Sequence, residues 1–324
     1  MHYAIETIGL SKTFRETRAL NDLNLVIRGG SVYGLLGPNG AGKTTAIRVL
    51  TTLLKPSAGK ALVLGFDVER DPALVRQKVS LTGQYASVDE DLTGHENLVL
   101  VSRLLGMSWV DARKRSMELL GAFGLADAAK QQVRTFSGGM RRRIDIAASL
   151  VTRPDILFLD EPTTGLDPRS RNQVWDLVRQ IADDGTTVLL TTQYLEEADR
   201  LAERMAVIDH GTVIAEGTSR ELKTSIGGNA LRLQLLNESQ RSAADALVCG
   251  MLGHSVLPND DPTTIAVQVS DAAAATRVLS ALAQANISVT DFSLGAPSLD
   301  DVFFALTGHQ TVAPIAVEGG EVPS

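Results

Sequence analysis

Two short stretches carry residues whose types and spacing suit phosphate chemistry. Gly37-Pro38-Asn39-Gly40-Ala41-Gly42-Lys43-Thr44-Thr45 fits the pattern G-x-x-x-x-G-K-[ST]. The glycines let backbone amides turn toward one point, and a helix N-terminus behind them adds partial positive charge, so the loop suits the β- and γ-phosphates of a nucleotide. Lys43 is placed to reach the γ-phosphate and Thr44 to bind Mg2+. The second stretch is the apolar run Ile156-Leu157-Phe158-Leu159, which ends in the paired acids Asp160-Glu161. Ligands of open α/β sheets bind at the carboxyl ends of the strands, where these two carboxylates would stand. Asp160 suits Mg2+ bound through water. Glu161, one residue on, points elsewhere and suits orienting and polarising an attacking water.

Elements of the right kind flank both stretches. The glycine-rich loop follows a strand-like run, Ser31 to Leu36, and precedes a helical pattern over Ala46 to Leu54. Together with Ile156 to Leu159 and Thr187 to Thr191, that run lacks charge, as a parallel strand buried on both faces must. Up to about residue 220 short β-branched runs alternate with helical stretches, which predicts an α/β domain built on a parallel sheet. Residues 92–150 have mostly helical periodicity, broken at Gly106, Gly121, Gly124 and Ser137-Gly138-Gly139, and read as a helical insertion.

After Gly227-Gly228 the period changes. A strand (Ala230 to Leu236), a helix (Glu238 to Leu252), two short strands (254–257 and 264–269), a helix (Asp271 to Gln284) and a strand (Ile287 to Leu294) give the order βαββαβ. That order predicts a small α+β, ferredoxin-like domain. A last amphipathic helix is expected with Ser298 as N-cap and Leu299, Val302, Phe303 and Leu306 on one face. The expected division is a nucleotide-binding domain over 1–225, an accessory domain over 228–310 and a disordered tail over 311–324.

Bulk properties narrow the function. The chain of 324 residues has a formal net charge of −7, and its isoelectric point near 5.3 argues against nucleic acid as a partner, because phosphate neutralisation needs a basic face. The cluster Arg141-Arg142-Arg143 is too short to reverse that balance. A single cysteine, Cys249, beside Leu247 and Val248, reads as an inert core thiol in a reducing compartment. No run approaches the roughly 18 apolar residues of a membrane helix, and no signal peptide is evident at the N-terminus.

Taken in order, the motifs of the first two-thirds of the chain resemble those of the ATP-binding cassette family of P-loop NTPases. Ser137-Gly138-Gly139, before a helical stretch from Met140 to Leu150, resembles the family's signature loop. A second helix N-terminus offering amides to an anion is redundant in a monomer and useful if it serves nucleotide held by another subunit. The resemblance therefore implies a homodimer on ATP binding, each ATP lying between one subunit's phosphate loop and the other's signature loop. It further implies that Phe14 stacks on adenine, that Gln84 contacts Mg2+ and senses the γ-phosphate, and that Asp167 of Gly165-Leu166-Asp167 reaches the partner's ATP. Two departures stand out. Phe136 and Met140 replace the usual Leu and Gln around the signature core, and Gln193 stands where most of the family has a histidine against the γ-phosphate. Glutamine hydrogen-bonds but takes no positive charge, which shifts the burden of hydrolysis toward Glu161.

Longer stretches resemble the ATP-binding subunits of daunorubicin/doxorubicin-resistance exporters: Gly83 to Asp89, Ser137 to Ala148, Thr191 to Asp199 and Ser298 to His309. Gln193 belongs to that subgroup's pattern. The resemblance implies a transport-coupled ATPase that uses MgATP on the cytoplasmic face of the membrane. Its partner would be a separate integral-membrane permease that exports a hydrophobic antibiotic or lipid, contacted by the helical insertion and Gln84. The competing readings are a soluble ATPase acting on ribosomes or DNA, or a regulatory ATP-binding module with little turnover. One cassette, an acidic chain and no heptad run count against the first.

Overall fold

The computed structural model describes residues 3–84, 87–225, 229–253, 256 and 261–307. Two compact units result, residues 1–193 with 200–214 and residues 194–199 with 215–324. In chain order the elements up to residue 217 are β1 (Tyr3–Phe14), β2 (Thr17–Arg28), β3 (Val32–Leu36), α1 (Lys43–Leu50), β4 (Ala58–Val63), β5 (Phe66–Asp67), α2 (Pro72–Lys78), β6 (Val79–Thr82), α3 (Gly94–Leu104), α4 (Trp109–Ala122), α5 (Gly138–Ser149), β7 (Ile156–Asp160), α6 (Pro168–Asp183), β8 (Thr187–Thr192), α7 (Leu195–Leu201), β9 (Arg204–Asp209) and β10 (Thr212–Gly217). There follow α8 (Ser219–Ser225), β11 (Asn229–Leu235), α9 (Arg241–Leu252), β12 (Thr264–Val269), α10 (Ala272–Gln284), β13 (Val289–Gly295) and α11 (Leu299–Thr307).

The central sheet has the strand order β10-β9-β3-β8-β7-β6, with β3 parallel to β8 and β9, and β7 parallel to β6 and β8. Every residue of β3, β7 and β8 is buried, which accounts for the lack of charge along them up to Asp160 at the end of β7. Successive side chains leave a strand on opposite faces, so β7 feeds two cores. Leu157 and Leu159 join the layer of Leu98, Leu120, Phe123, Ile144 and Trp175. Ile156 and Phe158 join Leu23, Leu25, Ala46, Ile47 and Leu50 beneath the antiparallel sheet β2-β1-β4-β5. The sheet is thus filled from both sides, and the strand ends that carry the paired acids have little freedom to shift. The region read as a helical insertion holds α3, α4 and α5 with short 3-10 turns between them. Thr93 and Glu96 open α3 with a reciprocal capping box.

In the second unit β11 is central to a three-stranded antiparallel sheet ordered β12-β11-β13. This is the neighbour relationship that the ferredoxin-like reading requires for the first, third and fourth strands. The short strand expected at 254–257 lies outside the described residues apart from Val256. Leu231, Leu233 and Leu235 of β11 pack with Val248 of α9 and with Val278 and Leu282 of α10 in one core. Ser298 caps α11, its hydroxyl accepting from Asp301 N at 3.2 Å while its own N–H donates to Asp301 Oδ2 at 2.7 Å. Leu299, Val302 and Phe303 are buried as expected, but Leu306 is 39% exposed, so the apolar stripe ends a turn early. Cys249, expected in the core, is half-buried. The tail over 311–324 lies outside the described residues.

Candidate functional site: a phosphate cradle beside paired acids

The cradle is shaped by close backbone approach. A Cβ on Gly37 would come 2.2 Å from the Ile208 carbonyl oxygen, and one on Gly42 would come 2.4 Å from that of Ala19. Gly42 also has φ of 106°, in the left-handed region that favours glycine. Only glycine at both positions lets β3 turn into α1 this tightly. The helix begins at Lys43, three residues earlier than the expected Ala46, so the amides of Lys43 and Thr44 belong to its first turn. Pro38, Asn39 and Gly40 form the outer rim, with Ala41 buried and Thr45 half-buried behind it.

Lys43 is 4% exposed, and its ammonium donates to the carbonyls of Gly37 at 2.7 Å and Pro38 at 3.1 Å. It also lies 3.7 Å from Glu161 Oε1. Burial lowers its pKa, an effect opposed by the charges of Glu161 and Asp160. Thr44 Oγ1 donates to Asp160 Oδ1 at 3.2 Å, and Thr191 Oγ1 donates to the same oxygen at 2.5 Å. Thr44 and Thr191, from chain segments far apart in sequence, therefore converge on one carboxylate. Thr191, at the end of β8, also receives the N–H of Glu161 on both its carbonyl and its hydroxyl oxygen, each at 3.1 Å.

Glu161 has φ of 49°, left-handed for a residue with a side chain. Such a conformation costs about 1–3 kcal/mol and persists only where its surroundings enforce it. The enforcing groups are Thr191 on one side and Arg142 of α5 on the other. Arg142 donates from Nη2 to the Asp160 carbonyl at 3.2 Å and from Nε to the Pro162 carbonyl at 2.7 Å. The turn that follows strand β7 is thus gripped on both sides of Glu161, whose side chain is 10% exposed.

The remaining residues singled out in the sequence occupy other places. Ser137 caps α5, its hydroxyl accepting from Met140 N at 3.3 Å, and with Gly138 it is exposed. Gly139 is buried against α6, where a Cβ would meet Ser170 Oγ at 2.3 Å. Asp167 caps α6 through Ser170 N at 3.0 Å, and the hydrogen bonds from Ser170 hold its pKa below the ordinary aspartate value. Phe14 is 43% exposed at the end of β1, with the Lys12 ammonium 5.1 Å from its ring centre. Gln84 is exposed and Gln193, directly after β8, is half-buried. Lys43, Thr44, Asp160 and Glu161 are joined by direct contacts among the described residues.

Thr191 and Arg142 were missed by sequence reasoning. Thr191 was read as the end of a buried strand and Arg142 as one of a cluster of three bases, and both fell within stretches that carry the family resemblance, but neither was given a role at the site. The available signal was local: Arg142 and Asp145 stand three apart on a helix, and Asp145 sits between Ile144 and Ile146 on the buried face.

Comparison with known proteins settles the family. The chain is 58% identical to the daunorubicin/doxorubicin resistance ATP-binding protein DrrA of Streptomyces peucetius, over 94% of its own length and 93% of that protein. It belongs to the ABC transporter family of ATP-binding proteins. The family model for ABC transporters matches residues 20–164, and the model for the C-terminal domain of DrrA1-3-like ATP-binding proteins matches residues 217–307. A more distant relative is the linearmycin resistance ATP-binding protein LnrL of Bacillus subtilis, 34% identical over 94% of this chain and 98% of that one. Among solved structures, an ATP-binding cassette captured as a dimer after hydrolysis with ADP and Pi superposes with a TM-score of 0.60 at 27% identity, covering 66% of this chain and 98% of that one.

A phosphate cradle of this shape suits a member of a family of ATP-binding proteins, and its donors fit Mg2+. A hard cation that keeps much of its water is held by one or two protein oxygens beside phosphates. The Thr44 hydroxyl is such an oxygen, and the Asp160 carboxylate, within hydrogen-bond distance of it, suits the water the metal would keep. Among the described residues no helix is long and apolar enough to cross a membrane.

Proposed function

We propose that this chain is the ATP-hydrolysing subunit of a two-plus-two exporter, working on the cytoplasmic face of the membrane with a separate permease that carries a hydrophobic antibiotic or lipid. The observation that carries the hydrolytic half is Glu161, fixed in a left-handed turn with its carboxylate 3.7 Å from the phosphate-loop lysine. The transport half is supported by the names of the relatives, a daunorubicin/doxorubicin resistance protein and a linearmycin resistance protein.

In this reading residues 1–225 bind nucleotide and 228–310 form the accessory domain. Lys43 and the amides from Gly37 to Thr45 hold the β- and γ-phosphates. Bound Mg2+ supplies charge compensation at the phosphates, with Thr44, Gln84 and, through water, Asp160 around it. Glu161 orients and polarises the attacking water, and Gln193 hydrogen-bonds at the γ-phosphate. Phe14 stacks on the adenine. Ser137, Gly138 and Gly139, with Asp167, serve the ATP held by the partner subunit, so the enzyme is a head-to-tail dimer with two equivalent sites. Closure around ATP moves the helical segment 92–150 against the permease, and hydrolysis reopens the dimer.

The test is steady-state ATPase and drug transport in vesicles containing this chain and its permease, with the parent protein and Glu161→Gln. Turnover and ATP-dependent drug accumulation by the parent, both lost in the variant, support the assignment. A parent no faster than the variant overturns the enzyme reading, and turnover with ribosome association but no permease binding overturns the transporter reading.

A further inference from the structure

The helix that begins at Ser137 carries a buried ion pair one turn further on. Arg142 is 9% exposed and Asp145 1% exposed, with Arg142 Nη1 3.4 Å from Asp145 Oδ2. The pair reaches two loops. Besides the carbonyls of Asp160 and Pro162, Arg142 holds the Gly83 carbonyl with Nη1 at 2.7 Å. Asp145 Oδ1 accepts from Ser87, from its N–H at 2.8 Å and its hydroxyl at 2.6 Å. Gln84 therefore stands on a segment anchored to α5 on both sides, at Gly83 and at Ser87. Glu161 likewise stands between two carbonyls, Asp160 and Pro162, anchored to the same guanidinium.

We propose that Arg142, held by Asp145, is a positioning residue that makes the geometry of Glu161 and Gln84 follow helix α5, and so couples the two ATP sites of the dimer. The inference rests on the hydrolytic, dimeric reading above. The N-terminus of α5 meets the partner's nucleotide, while one turn later the same helix grips both loops of its own site. Guanidinium chemistry suits such a role, since five N–H donors in a rigid fork bridge carbonyls from separate loops without losing the charge. Stability alone does not call for the pair, because a well-packed apolar replacement of a buried ion pair is often as stable. What an apolar pair cannot supply is the set of donors that fixes Gly83, Asp160 and Pro162.

The experiment uses the complex with its permease in lipid vesicles. It compares the parent with Glu161→Gln, Arg142→Lys, Arg142→Gln and the apolar double variant Arg142→Met/Asp145→Leu. ATPase kcat, KM and Hill coefficient are measured alongside affinity for a fluorescent ATP analogue and the melting temperature. Arg142→Gln is expected to lower kcat by about ten- to a hundred-fold, the scale of misplaced catalytic groups. The Hill coefficient falls toward unity and analogue affinity stays near the parent's, because the cradle itself is untouched. Arg142→Lys recovers part of kcat through the donors it retains. The apolar pair recovers the part of the melting temperature that Arg142→Gln loses to an unpaired Asp145, without restoring kcat or the Hill coefficient. An apolar double variant with the parent's kcat and Hill coefficient overturns the proposal and leaves hydrolysis intact. A parent no faster than Glu161→Gln overturns the hydrolytic reading and this one with it.

Discussion

Thr191 donates its hydroxyl to Asp160 at 2.5 Å, tying the end of β8 to the carboxylate that closes β7. Both side chains are buried, Thr191 at 0% exposure and Asp160 at 4%. Replacing Thr191 with valine keeps the shape and removes the donor. A buried acceptor left short of a partner costs about 1–3 kcal/mol, and that loss is the expected destabilisation of Thr191→Val in urea unfolding. Since the same hydroxyl also receives Glu161 N–H, kcat should fall as well, with a raised Mg2+ requirement in the ATPase assay. A variant with the parent's stability and Mg2+ dependence would show that the hydrogen bond does neither job.

Glu161→Gln should remove about 10²–10⁴-fold of turnover, the usual contribution of a positioned general base. Glutamine fills the same space and keeps a hydrogen-bonding head, so ATP is still bound. Unspent ATP then holds the dimer closed. Size-exclusion chromatography in saturating MgATP should show the variant as a dimer and the nucleotide-free form as a smaller species. A variant that stays monomeric under those conditions contradicts the two-subunit site.

Gly139 faces α6 so closely that an added Cβ would lie 2.3 Å from Ser170 Oγ and 2.6 Å from its Cβ. Gly139→Ala must therefore push the start of α5 away from α6. The expected result is a drop in turnover together with a loss of stability of about 1–3 kcal/mol, typical of overpacking. Ser170→Gly removes both colliding atoms, so the double variant Gly139→Ala/Ser170→Gly should regain much of the lost stability and turnover. Additive damage in the double variant would place the origin of the defect elsewhere.

Legibility in the sequence followed chain locality. The phosphate cradle and the paired acids declare themselves because each is a contiguous run whose chemistry needs those residue types side by side, between Val32–Leu36 and α1, or at the end of Ile156–Asp160. The buried strands were legible for the same reason. Arg142 was not. Arg141, Arg142 and Arg143 are indistinguishable as a run of charges, yet Arg141 pairs with Glu90 at 3.0 Å and Arg143 donates to the Phe123 carbonyl, while Arg142 turns inward to the loops that carry Gln84 and Glu161. Which base is buried depends on the phase of α5 against β7 and on loops 18 to 59 residues away. Thr191 was hidden by the opposite effect, a polar residue passing for part of an apolar strand until its partner on β7 is known. Leu306 was overread, because periodicity predicts a face but not how far the neighbouring element covers it.

The second unit offers an acid-stability test. Asp261 accepts from Thr263 through both its hydroxyl, at 2.6 Å, and its N–H, at 2.9 Å, with further hydrogen bonds from Thr264 and Gln234. These bonds favour the charged form and hold its pKa well below the ordinary aspartate value of 3.8. A folded pKa below the unfolded one means that the unfolded chain binds more protons in acid. The stabilisation is therefore fully present above the unfolded value of 3.8 and is lost as pH falls below it toward the folded value. Asp261→Asn should destabilise the protein at neutral pH and narrow that deficit in strong acid, when urea unfolding of the two is compared across the acid range. A deficit that stays constant with pH would mean that the aspartate acts through shape rather than charge.

Asp301 gives the last prediction, because it serves two elements at once. Its Oδ2 accepts the Ser298 N–H that starts α11 and the Arg232 Nη2 donor of β11 at 2.5 Å, with the carboxylate 7% exposed. Asp301→Ala removes the capping acceptor and leaves Arg232 unpaired. Arg232 is 34% exposed on its side chain, so water takes up part of its charge and the penalty stays below that of a fully buried orphan. Adding the loss of a cap, about 0.5–2 kcal/mol, to the loss of a partly screened charged hydrogen bond gives an expected destabilisation of about 1–3 kcal/mol. Asp301→Asn keeps the shape and an acceptor for the Ser298 N–H, so it should fall between parent and alanine. Hydrogen exchange should locate the damage, with faster exchange in the first turn of α11 and unchanged protection in α1 and α5. Uniformly faster exchange across the chain would show that Asp301 supports the whole protein rather than this helix.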